Sequence, residues 1–142
     1  MNLNEKYEIV IDEKKYVLGE DNCDYFENDI DQPVIGIDGS DILGLLKEGK
    51  EVNFNLEYYD EPCENCLAGI KEKLKYFEFL EYHFYLFTKK NEYVISSISK
   101  EYGEMSITKM FKIGKIDNSY IVSVMICKSC GNYSIEIEQC EV

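Results

Sequence analysis

The chain has 142 residues with a formal net charge of −13, no arginine and no tryptophan, a length that fits one domain, residues 1–142, able to bury its own core without a metal standing in for it. All of that charge sits in one half: residues 1–66 carry 18 carboxylates against 5 lysines, whereas residues 67–142 carry 10 of each. An acidic surface repels a phosphate backbone, which disfavours nucleic acid as a general partner; no run approaches the ~18 apolar residues of a membrane span and no leader-like start is present, so the cytoplasm is expected.

From the N-terminus, "YEIVIDEKKYVL" (7–18) alternates apolar and polar residues around a polar turn carrying Lys-Lys, which predicts a hairpin whose second strand opens on Tyr16. Residues 20–32 then hold six carboxylates and no lysine, the composition of a solvated acidic loop. Asp21, Asp24, Asp29 and Asp31 raise the question of calcium, but the D-x-[DN]-x-[DN]-G order of an EF-hand is missing. "SDILGLLKEGKEV" (40–52) predicts a short helix capped by Ser40 and stopped at Gly49-Lys50. Its glycine-rich approach, "GIDGSDILG", is neither a GxGxxG nor a P-loop. An extended segment follows and runs into Cys63-Glu64-Asn65-Cys66.

After the joining segment "LAGIKEKLKYFEF" the same order returns. "YHFYLFTKKNEYVI" (82–95) predicts a hairpin with Lys-Lys in the turn and Tyr93 opening the second strand, and "SITKMFKIGKID" (106–117) a helix capped by Ser106 and stopped at Gly114. Strands Tyr120–Ile126 and Tyr133–Glu138 then flank Cys127-Lys128-Ser129-Cys130. Short amphipathic hairpins also align by chance, but the ordered match to both cysteine pairs favours duplication. The expected fold is therefore α+β: two copies of a β-β-α-β-CxxC unit, about residues 5–66 and 80–130, around a mainly antiparallel sheet.

The two CxxC pairs are the most specific signal. A two-residue gap lets two thiolates approach one ion at ~2.3 Å, and a second such knuckle completes a tetrahedron, so Cys63, Cys66, Cys127 and Cys130 are the predicted ligands of a structural four-cysteine site. Zinc is the expected ion; iron shares the ligand set, and a dithiol redox pair is the remaining alternative. Gly131 supplies backbone freedom at the exit of the second knuckle, where the first has Leu67. These knuckles, "CKSCGNY" above all, resemble those of zinc ribbons and rubredoxin, although Cys66 and Cys127 lie farther apart than a compact ribbon requires. With "EYYDEPCENC" and the ending "IEIEQCEV", the whole chain is similar to an uncharacterised family of short acidic proteins from low-GC Gram-positive anaerobes, a resemblance that implies no activity.

No reaction is legible. His83, the single histidine, lies in "YFEFLEYHFYLF" and reads as a satisfied structural residue, while Cys23 and Cys140 read as unpaired reduced thiols, the latter exposed near the C-terminus. Acidic pairs are too abundant for any one to stand out as a hydrolase site. The expectation is a metal-stapled binding protein whose acidic half, around Asp24, Glu27, Asp29 and Asp31, engages a basic protein partner as a regulator or immunity-type neutraliser. A rubredoxin-like iron or dithiol redox protein is the alternative.

Overall fold

A computed structural model of the chain describes residues 6–49, 52–99 and 107–140. The architecture is mixed α+β and mostly strand. β1 (Tyr7–Ile11) and β2 (Lys14–Leu18) form a two-stranded antiparallel sheet, followed by a single 3-10 turn, Glu20–Asn22. β3 (Cys23–Glu27) and α1 (Gly39–Glu48) come next, then β4 (Asn55–Tyr59), β5 (Phe77–Lys89), β6 (Glu92–Ser96), α2 (Ile107–Lys112), β7 (Asn118–Cys127) and β8 (Tyr133–Gln139).

Among the described residues six strands make the main sheet, in the order β3-β8-β7-β5-β4, with β6 also on β5. The 13-residue β5 carries β4 along its first residues and β6 along its last ones on the same side, while β7 pairs along its other side. All pairings are antiparallel except β3 with β8.

One face of this sheet is the core. Leu80, Phe84, Leu86, Tyr120, Val122, Val124, Ile126, Ile135 and Ile137 pack against Tyr16 and Leu18 of the first hairpin and against Ile42, Leu43, Leu45 and Leu46 of α1. The alternation along β7 and the i, i+3, i+4 spacing in α1 put these side chains on single faces, and each full burial is worth roughly 1.5–3 kcal/mol relative to exposure. A smaller cluster, Phe87, Ile95, Met110 and Ile116, gathers α2 onto the far end of β5.

Both hairpins turn on two left-handed residues, Asp12-Glu13 and Lys90-Asn91, each pair at φ 50° and 67°, but β3 stands between the first hairpin and α1 with no counterpart between β6 and α2 among the described residues. The expected Lys-Lys equivalence is offset, because Lys14-Lys15 follows the first turn whereas Lys89-Lys90 runs into the second. The hairpins also differ in place, the first forming its own sheet and the second belonging to the main one. Two caps were expected at serines. Asp38 caps α1 instead: its carboxylate accepts from the Asp41 N–H at 2.9 Å and the Asp41 carboxylate accepts from the Asp38 N–H at 2.9 Å, with Ser40 already helical. Ser106 lies outside the described residues. The acidic loop is a strand in part, since Cys23–Glu27 pairs with β8 at the edge of the main sheet.

Candidate metal centre

β4 and β7 both run antiparallel to β5, one on each side of it, and both finish where β5 begins: Tyr59 sits opposite Phe77, and Cys127 opposite Phe79. Whatever follows these two strands must emerge at the same end of the sheet, about two strand spacings apart, roughly 10 Å. The two CxxC knuckles follow them.

Each knuckle closes in the same way. The Leu67 N–H donates to the Cys63 carbonyl at 2.9 Å, and the Gly131 N–H to the Cys127 carbonyl at 2.9 Å. Both closing residues are left-handed, Leu67 at φ 52° and Gly131 at φ 80°. The glycine adopts this freely, whereas a leucine does so at a cost of roughly 1 kcal/mol. Leu67 thus occupies the place where the second knuckle uses glycine, and it takes the strained conformation.

The four sulfurs meet as the spacing predicts. Cys63 Sγ is 3.8 Å from Cys130 Sγ and Cys66 Sγ is 3.7 Å from Cys127 Sγ, and all four lie within 4.8 Å of one another. They are free thiols, far beyond the ~2.05 Å of a disulfide bond. Among the described residues this is the one gathering of three or more Cys, His, Asp or Glu ligand atoms able to hold an ion, so the aspartates considered for calcium form no such group.

Electrostatically the thiols are unequal. Burial pushes Cys127 up to about 12 and raises Cys63 as well. For Cys63 the backbone N–H groups of Cys66 and Asn65 work against that burial without cancelling it. Burial acts on Cys130 too, but the Asn132 N–H, which donates to its sulfur at 3.5 Å, and the neighbouring thiols hold it below the ordinary thiol range. An arriving cation therefore has to displace protons from the buried sulfurs of Cys63 and Cys127.

The first hairpin holds the second knuckle in place. Lys14 Nζ donates to the carbonyls of Lys128 at 2.8 Å and Ser129 at 2.9 Å, and Tyr16 Oη donates to the Lys128 carbonyl at 3.0 Å. Asn22 Nδ2 adds the Gly131 carbonyl at 3.3 Å, and Lys128 pairs with Glu78 of β5 at 3.0 Å. Sequence reading missed this clamp, because nothing in the spacing of Lys14 or Asn22 points more than 100 residues along the chain.

The other singled-out residues lie elsewhere. His83 is exposed on β5, with Nδ1 2.8 Å from Ser123 Oγ and Nε2 3.7 Å from Glu81. Burial raises the Glu81 carboxyl and His83 opposes that shift. Cys23 begins β3, packs against the core and donates to the Tyr25 carbonyl at 3.4 Å; burial raises its thiol. Cys140, expected to be exposed, is half-buried beside Ser119, and burial raises its thiol as well. In the acidic stretch, Asp24 accepts from Asn132 Nδ2 at 3.0 Å, while Asp29 accepts backbone N–H groups from Asp31, Gln32 and Gln139. No helix is long and apolar enough to cross a membrane among the described residues.

Fold and site together define a strand-rich α+β protein in which four cysteines form a cluster compatible with a zinc-ribbon-like site. The chain belongs to the family described as a protein of unknown function (DUF3785), matched over residues 7–142. No curated protein and no solved structure matches it.

Proposed function

We propose that Cys63, Cys66, Cys127 and Cys130 bind one zinc ion as a closed structural site, and that the protein is a binding module whose acidic half engages a basic protein partner. The observation that carries the metal reading is the size of the sulfur cluster. Four thiolates at ~2.3 Å from a tetrahedral zinc are ~3.8 Å apart, and the cross-knuckle separations are 3.8 and 3.7 Å. Four protein ligands leave no position for a substrate water, so such an ion fixes architecture. The acidity of residues 1–66 supports the partner. The repeated turn conformations support reading residues 5–66 and 80–130 as copies of one unit; relatives whose halves align nowhere beyond the cysteines would remove that part.

Elemental analysis of protein purified anaerobically without chelator tests the metal. About one zinc per chain is expected, lost in Cys63→Ser and Cys127→Ser and kept in Cys23→Ser and Cys140→Ser. Iron with visible thiolate absorption would replace the structural reading with an electron-transfer one, and a metal-free protein would sink both.

A further inference from the structure

The face of the main sheet opposite the core is open next to the cysteine cluster. There a groove of about 830 Å³ crosses the sheet, and five of its strands contribute to it in spatial order: Tyr25 from β3, Ser134 from β8, Met125 from β7, Phe79 from β5 and Tyr59 from β4. Four strand spacings make its floor ~19 Å long, which accommodates about six residues of extended chain. Tyr59 and Phe79 meet edge to face at 4.9 Å between ring centres, and Tyr25 is 44 % exposed.

Its rim is acidic at both ends. Asp24 and Glu136 stand at the β3 end, and Asp60, Glu61 and Glu64 at the first knuckle, while none of the described lysines lines the groove. Asp24 and Glu136 have neutral partners, Asn132 and Tyr25. Asp60, Glu61 and Glu64 make no hydrogen bond or ion pair with any described residue. An aromatic floor between carboxylate rims matches lysine side chains in two parts: the methylene stem and ammonium lie on the rings, and the charge is answered at the rim. Phosphate groups would meet five carboxylates.

We infer that this groove is the docking site for an extended, lysine-rich segment of a basic partner protein, an inference that rests on the basic-partner reading above and gives it a location. Cys63 and Asn65 belong to the groove wall, so the cysteine cluster and the docking site share Cys63, and Asn65 reaches the Cys130 sulfur at 4.0 Å. Asn132 joins them again, its backbone N–H on the Cys130 sulfur and its side chain on Asp24.

The test uses the full metal-loaded chain and a fluorescent octalysine peptide, with octaglycine as the neutral control, read by anisotropy at low salt. Asp60→Asn/Glu61→Gln/Glu64→Gln is compared with Glu13→Gln/Asp21→Asn/Glu48→Gln, which removes the same charge outside the groove. The groove variant is expected to weaken octalysine binding about tenfold, the remote variant less than about twofold, and the Met125 methyl resonance of the unmodified protein is expected to shift on titration. Equal losses in both variants, or an unmoved Met125 methyl despite binding, would overturn the groove and leave the basic-partner reading standing. Octalysine that binds no better than octaglycine would overturn both. Self-association that octalysine displaces would make a second copy of the chain the occupant and overturn the separate partner.

Discussion

Asp29 shows how one carboxylate in an acidic stretch differs from its neighbours. Oδ1 accepts from the Asp31 and Gln32 N–H groups at 3.0 and 2.9 Å, and Oδ2 accepts from the Gln139 N–H at 2.8 Å, which fastens the loop after β3 to the end of β8. These bonds, those from Gln32 and Gln139 foremost, hold its carboxyl below the usual range. A folded value below the unfolded one stabilises the protein above the unfolded pKa, and that contribution is lost as pH falls through the folded pKa. Asp29→Asn keeps the two bonds to Oδ1 but turns an amide N–H toward the Gln139 N–H. It should cost about 1–2 kcal/mol at neutral pH, with the gap to the unmodified protein closing at acid pH, where the aspartate is protonated too. Urea midpoints at neutral and acid pH measure this; a gap that stays constant with pH would show that the charge is not what matters. In sequence, Asp29 was indistinguishable from Asp31, because composition records a carboxylate and not the backbone groups that converge on it.

At the scale of elements, the first hairpin is the clearest case of a part whose role is invisible in its own residues. Its alternation and its turn were legible, but the clamp it makes on the second knuckle depends on tertiary placement. Lys14 lies 5.1 Å from the centre of the Tyr16 ring, which holds the ammonium over the knuckle carbonyls. Lys14→Met should lower zinc affinity about tenfold, as loss of outer supports to metal ligands does, and leave the thermal unfolding of the metal-free protein nearly unchanged. Competition against a chromophoric chelator gives the affinity; an unaltered value would reduce the clamp to a surface contact. β3 was illegible for a different reason. It is a five-residue edge strand paired in parallel, so no hairpin turn announces it, and its carboxylates at Asp24 and Glu27 hide the apolar contribution of Phe26. The cysteine knuckles were legible because their chemistry is written locally, in two residues of spacing, and the strand order needed only to bring them to one end.

For the whole molecule, convergence of the knuckles and burial of the core are separable. The sulfurs meet because β4 and β7 flank β5 in the same direction, whereas the core lies along the sheet, with Val122, Val124, Ile126 and Ile135 fully buried against α1 and the first hairpin. A metal site at one end of such a sheet should add to stability without being its source. An ion that binds only the native state adds about 2.7 kcal/mol at a free concentration one hundred times its Kd. Unfolding entropy for 142 residues is roughly 0.3 kcal/mol per kelvin, so saturating zinc should raise Tm by roughly 9 °C over chelated protein, with both melts cooperative. Far-ultraviolet circular dichroism melts with chelator and with buffered zinc decide the matter. Loss of cooperative unfolding on chelation would mean that the core cannot stand without the metal, and equal melting temperatures would mean that the four cysteines hold no ion in the native state.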